Sequence, residues 1–557
     1  MTPRQKLLLL IPGFALLLGG CATHPAVPEP TGKPSAPVSD NYHLIMGELA
    51  LARGKRSAAS MEYLAALGRE EPGLARRATL IALLAGETPA ARMAADRWEQ
   101  LAPHDLEAAQ YQALLHARAG ETAEALQYLL RVADGATGAA VGANLQSITT
   151  LLVNEPNPWR AATLMAEVAA LRPEYPEGWY GAALLALQAD RPAQAVEFAT
   201  RALALDPNQL DVLFLRARAT LLVRPTKGGE DVLAPLAGFR NASDPGLRYR
   251  FASLLVLAGR DAEADALLED ILVNAPDQHD ARLARALLAL DSGRLADAEA
   301  GFHQLLQRHG HIQDAFFYLG VLAERRGALD EAIDWYARVT PEVDRWLDAQ
   351  FGIARALLRL DGAAGALDFF EKLHAEWPEQ EGILLLNAAA LLTASGHPQQ
   401  SLELLRRMDP AKVERTEFDW QIGLAAAGAG ELAQAETAFR RLLESDPENP
   451  AVQNVLGDLL LAQGRLAEAE TLLEAAQASA PANADILDSL GWLRFRQGEI
   501  IEARRLLEES WQRRPMPETG LHLLAALTAL DDAEALLAFR QAFEKRFPET
   551  LDALPEN

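Results

Sequence analysis

The chain has 557 residues, too many for one compact hydrophobic core, so the sequence predicts several domains or one extended repeat array. Hydrophobic residues make up 50% of the chain and aromatic residues only 6%, and the predominance of alanine and leucine favours long helices over sheets. The formal net charge of -25 argues against a nucleic-acid partner, and the single cysteine excludes intramolecular disulfides, cysteine-rich zinc sites and CxxC redox chemistry. Solubility explains the charge, and a basic partner surface is the alternative.

The first twenty residues have the order that is typical of a secretion signal. A short basic head precedes an apolar run over residues 7–18, and small residues follow this run. The run is too short to anchor the chain by spanning a bilayer. We therefore predict a signal peptide over residues 1–20.

The stretch Leu18-Gly19-Gly20-Cys21 resembles the lipobox of bacterial lipoproteins. In that family the cysteine gains a diacylglycerol thioether, becomes the N-terminus by cleavage, and is then N-acylated. The resemblance implies a lipid of this kind, palmitate included, on Cys21, and two acyl chains already hold a protein stably on a membrane. An ordinary signal peptide that happens to contain a cysteine is the alternative.

The residue after the cysteine bears on the choice of membrane. In enterobacterial lipoproteins an aspartate there commonly signals inner-membrane retention, and this chain has Ala22 instead. The resemblance thus implies an outer-membrane anchor that faces the periplasm. Residues 21–40 contain five prolines and almost no large apolar side chains. We expect an extended, semi-rigid tether that reaches at most about 60 Å.

From residue 41 onward the sequence repeats with a period of 34 residues. Four columns near the C-terminus keep this period: Gly423, Gly457 and Gly491; Gly430, Gly464 and Gly498; Ala435, Ala469 and Ala503; Pro447, Pro481 and Pro515. The period and the columns resemble the tetratricopeptide repeat. The resemblance implies an all-α fold, a TPR α-solenoid in which about fourteen helix-turn-helix repeats wind into a right-handed superhelix.

Each column predicts a physical role within the two helices, A and B, of a repeat. The first glycine lies in helix A, and we expect the alanine of helix B to approach it closely. The second glycine ends helix A in a left-handed cap. The proline ends helix B, because it lacks an N–H donor and disfavours α geometry in the preceding residue.

The repeats suggest an N-terminal array over residues 41–244, a C-terminal array over 245–517, and a degenerate capping pair and tail over 518–557. Two units depart from the pattern. Residues 210–244 carry extra prolines and glycines, so their helix B must be short or bent, and residues 345–380 have an inner turn that is slightly too long. Both are candidates for a bend between sub-arrays, and ordinary repeat drift is the alternative.

The sequence contains no catalytic constellation. HExxH, GxxxxGK[ST] and GxSxG are all absent. His303, His309 and His311 cluster at the end of one repeat, where solvated loop histidines are favoured over a metal site. The repeats also occupy nearly the whole chain, which leaves no stretch for a catalytic domain. We predict a protein that is not an enzyme and needs neither a cofactor nor a metal.

Stacked helix pairs form a concave face that is lined by helix A. In the family, the second, fifth, ninth and twelfth positions of helix A face inward. The predicted groove residues at these positions are Tyr180, Tyr249, Phe317, Trp420, Trp492 and Phe495. Other residues at these positions are Leu184, Leu283, Leu287, Leu461, Asp314, Asn454, Asp458, Asp485 and Asp488.

Exposed aromatic residues on a concave surface suit an apolar segment or helix of a partner. Packing of these side chains between neighbouring repeats is the alternative. Some members of the family bind acidic peptide C-termini through a clamp of lysine and asparagine, and this face lacks such a clamp.

These features predict a membrane-anchored scaffold that binds periplasmic proteins. The combination of lipobox, tether and repeat array is similar to lipoprotein adaptors of carboxyl-terminal processing proteases, which gather a periplasmic protease and its peptidoglycan hydrolase substrates. A pilotin-like assembly factor for a secretin, a pilus or an exopolysaccharide export machine is the alternative. An enzyme such as a glycosyltransferase fused to repeats is the third candidate.

Overall fold

The computed structural model describes residues 40–138, 140–155, 157–223, 229–377, 381–410 and 413–548. Within these ranges the chain forms twenty-nine α-helices and one 3-10 helix, and it has no strand. The predicted all-α class is confirmed. No helix in this part of the chain combines the length and the apolar character that a membrane crossing needs. The predicted signal peptide and Cys21, with all of the tether except residue 40, lie outside the described residues.

The chain divides into two compact units with a boundary between His311 and Ile312. The boundary suggested by the sequence, after residue 244, falls inside the first unit. The helices of the first unit are α1 (Asp40–Ala52), α2 (Arg56–Ala65), α3 (Pro72–Leu84), α4 (Thr88–Leu101), α5 (Leu106–Ala119), α6 (Thr122–Asp134), α7 (Ala140–Val153), α8 (Pro158–Leu171), α9 (Pro176–Gln188), α10 (Pro192–Leu205), α11 (Leu210–Val223), α12 (Glu230–Leu233), the 3-10 helix (Ala234–Asn241), α13 (Pro245–Leu257), α14 (Asp261–Asn274), α15 (His279–Asp291) and α16 (Leu295–Gln307).

The second unit continues the same arrangement of helices. Its helices are α17 (Ile312–Arg326), α18 (Leu329–Tyr336), α19 (Trp346–Glu376), α20 (Glu381–Ala394), α21 (Pro398–Arg407), α22 (Arg415–Gly428), α23 (Leu432–Ser445), α24 (Pro450–Ala462), α25 (Leu466–Ser479), α26 (Ala484–Gln497), α27 (Ile500–Arg513), α28 (Pro517–Ala529) and α29 (Ala533–Arg546).

Successive helices form helix-turn-helix pairs. Over the described ranges, fourteen pairs run from α1 to α27, and α28 with α29 forms a terminal pair. In two of the fourteen, helix B differs from the others: α12 and the 3-10 helix replace it in one, and α19 supplies both helices of the other. This arrangement agrees with the number of units that the period predicts.

The turn inside a pair depends on a left-handed residue at the end of helix A. Gly430, Gly464 and Gly498 have φ values of 80°, 78° and 84°, as the second glycine column predicts. After Gly464, the N–H of Arg465 donates to the carbonyl of Leu460 at 2.9 Å, which closes a Schellman-type cap. Side chains other than glycine adopt this conformation at a cost, so the glycines stabilise a tight turn.

The role assigned to the first glycine column is wrong in one respect. A Cβ on Gly457 would lie 2.6 Å from Leu473, and a Cβ on Gly491 would lie 2.7 Å from Leu507. The glycine therefore accommodates a large side chain of helix B, four residues beyond the alanine that was expected to approach it. Ala469 is instead fully buried in the same pair. A methyl group at the glycine would overpack this crossing.

The two irregular units differ from the others where the sequence predicted. Between 210 and 244, helix B is reduced to the four-residue α12 and the 3-10 helix, and Gly229 precedes them in a left-handed conformation at φ 51°. In α19, Gly362 has non-helical angles (φ 71°, ψ -167°) near the middle of the 31-residue range. The slightly long inner turn is thus a kink at Gly362, between the two helices that α19 comprises.

Candidate functional site

The 34-residue period aligns the inner positions of successive A helices in the second unit. The fifth position is occupied by Trp420, Asn454, Asp488 and His522, and the ninth by Leu424, Asp458, Trp492 and Ala526. These residues lie on α22, α24, α26 and α28, and α26 contacts both α24 and α28. We define the acidic aromatic face as the following residues: Asn454, Asp458, Asp488, Trp492, Phe495 and His522.

The aromatic part of this face is centred on Trp492. Its ring stacks with Phe495 at a centroid distance of 4.8 Å and an interplanar angle of 7°. It also stacks with His522 of the next A helix at 4.3 Å and 12°. Trp492 and Phe495 are both partly buried, and Phe495 packs against the core formed by α27 and α28. The rings thus link two neighbouring A helices and keep part of their surface accessible.

His522 was not among the residues that the sequence singled out. Its Nδ1 lies 3.1 Å and 3.2 Å from the two carboxylate oxygens of Asp488. The sequence does contain an indication of this contact, because His522 follows Asp488 by one period of 34 residues. The sequence of residues 518–557 indicates a degenerate capping pair, and the loss of the repeat columns there conceals the inner position of His522.

The acidic part of the face contains a carboxylate in an unfavourable environment. The pKa of Asp458 is raised to about 7, and burial is the main cause. The negative charges of Asp488 and Glu518 act in the same direction, whereas the Ser489 hydroxyl and His522 act in the opposite direction. Among the described residues no arginine or lysine forms an ion pair with Asp458. Asp485, by contrast, pairs with Arg514 on the same helix pair. Asp458 is therefore a partly buried acid without an arginine or lysine ion-pair partner in this part of the chain.

Trp420 lies at the same repeat position as Asn454 and Asp488, on α22. It is partly buried and meets Phe439 of helix B edge to face, with ring centroids 6.0 Å apart at 65°. This contact holds the ring against its own pair. The accessible part of Trp420 is the contribution of α22 to the inner side of the second unit.

Phe317 does not line an open groove. It is only 9% exposed and packs against Tyr318 and Tyr336, with ring centroids 5.2 Å and 5.7 Å away. The guanidinium of Arg345 covers it at 5.4 Å from the ring centroid, and Arg345 also pairs with Asp314. The expected exposure of Phe317 is therefore wrong, because its own helix pair and Arg345 enclose it.

Several aliphatic residues at inner positions are also interior. Leu283, Leu287 and Leu461 are all fully buried. Leu184 is partly buried against the core of the first unit. Inner positions of helix A thus face the neighbouring pair as much as the solvent, and only some of them remain accessible.

In the first unit, Tyr180 and Tyr249 are partly buried and pack on separate hydrophobic cores. Burial raises the pKa of both phenols, and that of Tyr249 reaches about 12. Burial also lowers the pKa of Arg218, which lies near Tyr249, and its Nε has no hydrogen-bond partner. The inner side of this unit therefore has a chemical character different from that of the acidic aromatic face.

Within the histidine cluster at the end of α16, His311 makes a local structural contact. His311 Nε2 lies 2.7 Å from Asp280, and this hydrogen bond lowers the pKa of the aspartate. His309 and His311 both adopt positive φ, at 55° and 45°. In the portion of the chain that the structure describes, no three histidine, cysteine, aspartate or glutamate side chains are grouped so as to hold a metal ion.

These helix pairs and their inner face define a repeat protein of the kind that forms interaction scaffolds. A sequence profile of the tetratricopeptide repeat matches residues 157–209, 283–345 and 421–484. The TPR repeat-containing protein PA4667 of Pseudomonas aeruginosa is 30% identical over 472 residues, which cover 79% of this chain and 77% of that protein. The chain belongs to the tetratricopeptide-repeat protein family.

Two further similarities extend over different lengths. The cellulose synthase operon protein C of Pseudomonas fluorescens is 25% identical over 268 residues, 38% of this chain and 21% of that protein. The crystal structure of the APC/C hetero-tetramer Cut9-Hcn1 contains a chain that is 16% identical, with a TM-score of 0.32, over 88% of this chain and 96% of its own. At this TM-score, the structural similarity does not bear on the family or the function of the chain.

The raised pKa of Asp458 predicts that an isosteric neutral side chain stabilises the second unit at high pH. The folded pKa of about 7 exceeds the unfolded value of 3.8, so the aspartate contributes stability below pH 4 that is lost as the pH rises toward 7. Asp458→Asn should raise the free energy of unfolding by a few kcal/mol at pH 8, and by less at pH 5. Urea unfolding at both pH values measures this difference.

Glu444→Gln is the matched control, because Glu444 is an exposed acid on α23. Its effect on the free energy of unfolding should be small and equal at the two pH values. An Asp458→Asn variant that is no more stable than the wild type at pH 8 would contradict the proposed environment of the carboxylate.

Proposed function

We propose that this protein is a lipid-anchored scaffold of the periplasm that captures partner proteins on the inner face of its second unit. Tetratricopeptide repeats form protein–protein interaction scaffolds, and their fold is typically non-catalytic. The acidic aromatic face carries the proposal, because it combines partly exposed rings with charged groups on adjacent A helices. Aromatic anchors surrounded by polar groups are characteristic of the energetically important part of protein interfaces.

The finer role is that of an adaptor between a carboxyl-terminal processing protease and its peptidoglycan hydrolase substrates. The resemblance of residues 18–21 to a lipobox, the proline-rich segment that follows, and the long repeat array support this role. A tether would allow the scaffold to stand clear of the outer membrane. A long array of helix pairs offers separate surfaces for a protease and for its substrate.

A second candidate is an assembly factor for an export machine. The similarity of 38% of this chain to the cellulose synthase operon protein C favours an exopolysaccharide system over a secretin or a pilus. An assembly factor would use the same anchor and the same inner face. It differs in the partner, which would be a component of the exporter.

The anchor is tested by replacing the only cysteine. Cys21→Ser should release the protein from the membrane pellet into the soluble periplasmic fraction of a Gram-negative host, because a serine cannot form the lipid thioether. Mass spectrometry of the N-terminal peptide should find the acyl chains on the wild type and not on Cys21→Ser. Ala22→Ser, which keeps the cysteine, is the control and should still pellet. Equal pelleting of Cys21→Ser and the wild type would exclude the lipid anchor.

Partner capture tests the scaffold itself. Residues 22–557 are immobilised and incubated with a periplasmic extract, and bound proteins are identified by mass spectrometry. A carboxyl-terminal processing protease with peptidoglycan hydrolases supports the adaptor. Secretin, pilus or polysaccharide export components support the assembly factor instead.

Replacing the two tryptophans on the inner face of the second unit shows whether a partner binds to that face. Trp420→Ala with Trp492→Ala should reduce recovery of the partner about tenfold or more, since truncation of an interfacial anchor costs on the order of 2 kcal/mol. Trp159→Ala is the control, because Trp159 is 55% exposed on α8 of the first unit. Circular dichroism checks that each variant remains helical. Undiminished recovery by the double variant would show that the partner binds elsewhere.

A further inference from the structure

The charges on the acidic aromatic face are not balanced. Asp458, Asp488 and Glu518 are close enough for the two other acids to raise the pKa of Asp458. The basic group that opposes this shift is His522, which is hydrogen-bonded to Asp488. Elsewhere in the second unit, acids of this kind meet arginines: Glu324 accepts two hydrogen bonds from Arg355, at 3.0 Å and 2.9 Å. The face thus holds two carboxylates, Asp458 and Asp488, and one basic group, His522.

A second observation, independent of these acids, also indicates a missing donor. Asn454 is only 8% exposed, and its Oδ1 is buried without a hydrogen-bond partner. Asn454 precedes Asp458 by four residues on α24, so the two side chains lie on the same side of that helix. A buried acceptor that lacks a donor destabilises the folded protein, because it has lost its hydrogen bonds to water. A ligand that brings several N–H groups would satisfy the amide and the carboxylate together.

The chemistry of the face distinguishes among possible cations. A metal ion would need three or more converging ligands of the usual kinds, and the described residues contain no such group. The face instead combines acceptor oxygens with the rings of Trp492 and Phe495. Rings of this kind suit the apolar stem of a long basic side chain, whose charged end then meets the carboxylates.

We propose that the acidic aromatic face binds a lysine or arginine side chain of a partner protein, with its ammonium or guanidinium group between Asn454, Asp458 and Asp488. The proposal rests on the scaffold function argued above and specifies the chemistry of the segment that is recognised. Charge complementarity supports a protein partner of this kind, because the whole chain carries a net charge of -25. The cation would also restore the ionised form of Asp458, whose pKa burial raises to about 7.

A display library of random decapeptides tests the proposal without knowledge of the natural partner. Residues 22–557, which include every described residue, are the bait. The wild type should enrich peptides with lysine or arginine at one constant position beside apolar residues. The relative enrichment of the two side chains distinguishes an ammonium from a guanidinium site. Asp458→Asn should weaken the best such peptide by at least about tenfold.

The specific contact is isolated by a double-variant cycle. Replacement of the basic residue of that peptide by norleucine should weaken binding to the wild type by a similar factor, and should have little further effect on binding to Asp458→Asn. Asn454→Leu replaces the amide by an apolar side chain of similar volume and should also weaken binding of the basic peptide. Glu444→Gln removes one negative charge from an exposed site on α23 and should leave binding unchanged.

The outcomes separate this proposal from the scaffold function. Enrichment of neutral or acidic peptides would overturn the recognition of a basic side chain and leave an interaction scaffold in place. Basic peptides that bind Asp458→Asn and the wild type equally would also overturn it. If no peptide is enriched while partner capture succeeds, recognition of a basic linear segment is overturned and the scaffold function stands.

Discussion

The arrangement of the helix pairs that form the acidic aromatic face depends on one close crossing, where a glycine of helix A receives a large side chain of helix B. At Gly457 the partner is Leu473, and at Gly491 it is Leu507. The crossing sets the rotation of helix A about its axis, because only the glycine side can approach helix B this closely. The rotation of α24 in turn brings Asn454 and Asp458 to the inner side. The chemistry of the face is therefore a consequence of packing within the pair.

The fold could be predicted from the sequence because the repeat encodes local, backbone-determined features. The left-handed glycines that end helix A, such as Gly464 at φ 78°, occur where the period predicts. The residue that packs against Gly457 was predicted wrongly, because the prediction paired the recurring glycine of helix A with the recurring alanine of helix B. Which residues meet at a crossing depends on the angle and the rise of two helices, and the columns do not contain that information.

The candidate site could be predicted only in part, since periodicity indicates which side of a helix a residue occupies and not how far its neighbours cover it. Trp492 and Phe495 come together as partly exposed rings, whereas Phe317, at an equivalent type of position, is enclosed. His522 was missed because the terminal pair lacks the glycine and proline columns while it retains the inner register. In this terminal pair the inner register of helix A thus persists although the repeat columns have been lost.

The central claim is that partners bind the inner side of the second unit, and hydrogen exchange of the complex tests it most directly. Exchange measured by mass spectrometry, with and without the captured partner, reports local opening in each helix. We predict slower exchange in α24, α26 and α28 on binding, with little change in the outer helices α25 and α27. Protection confined to α25 and α27, or to the first unit, would contradict the account and assign partner binding to a different surface.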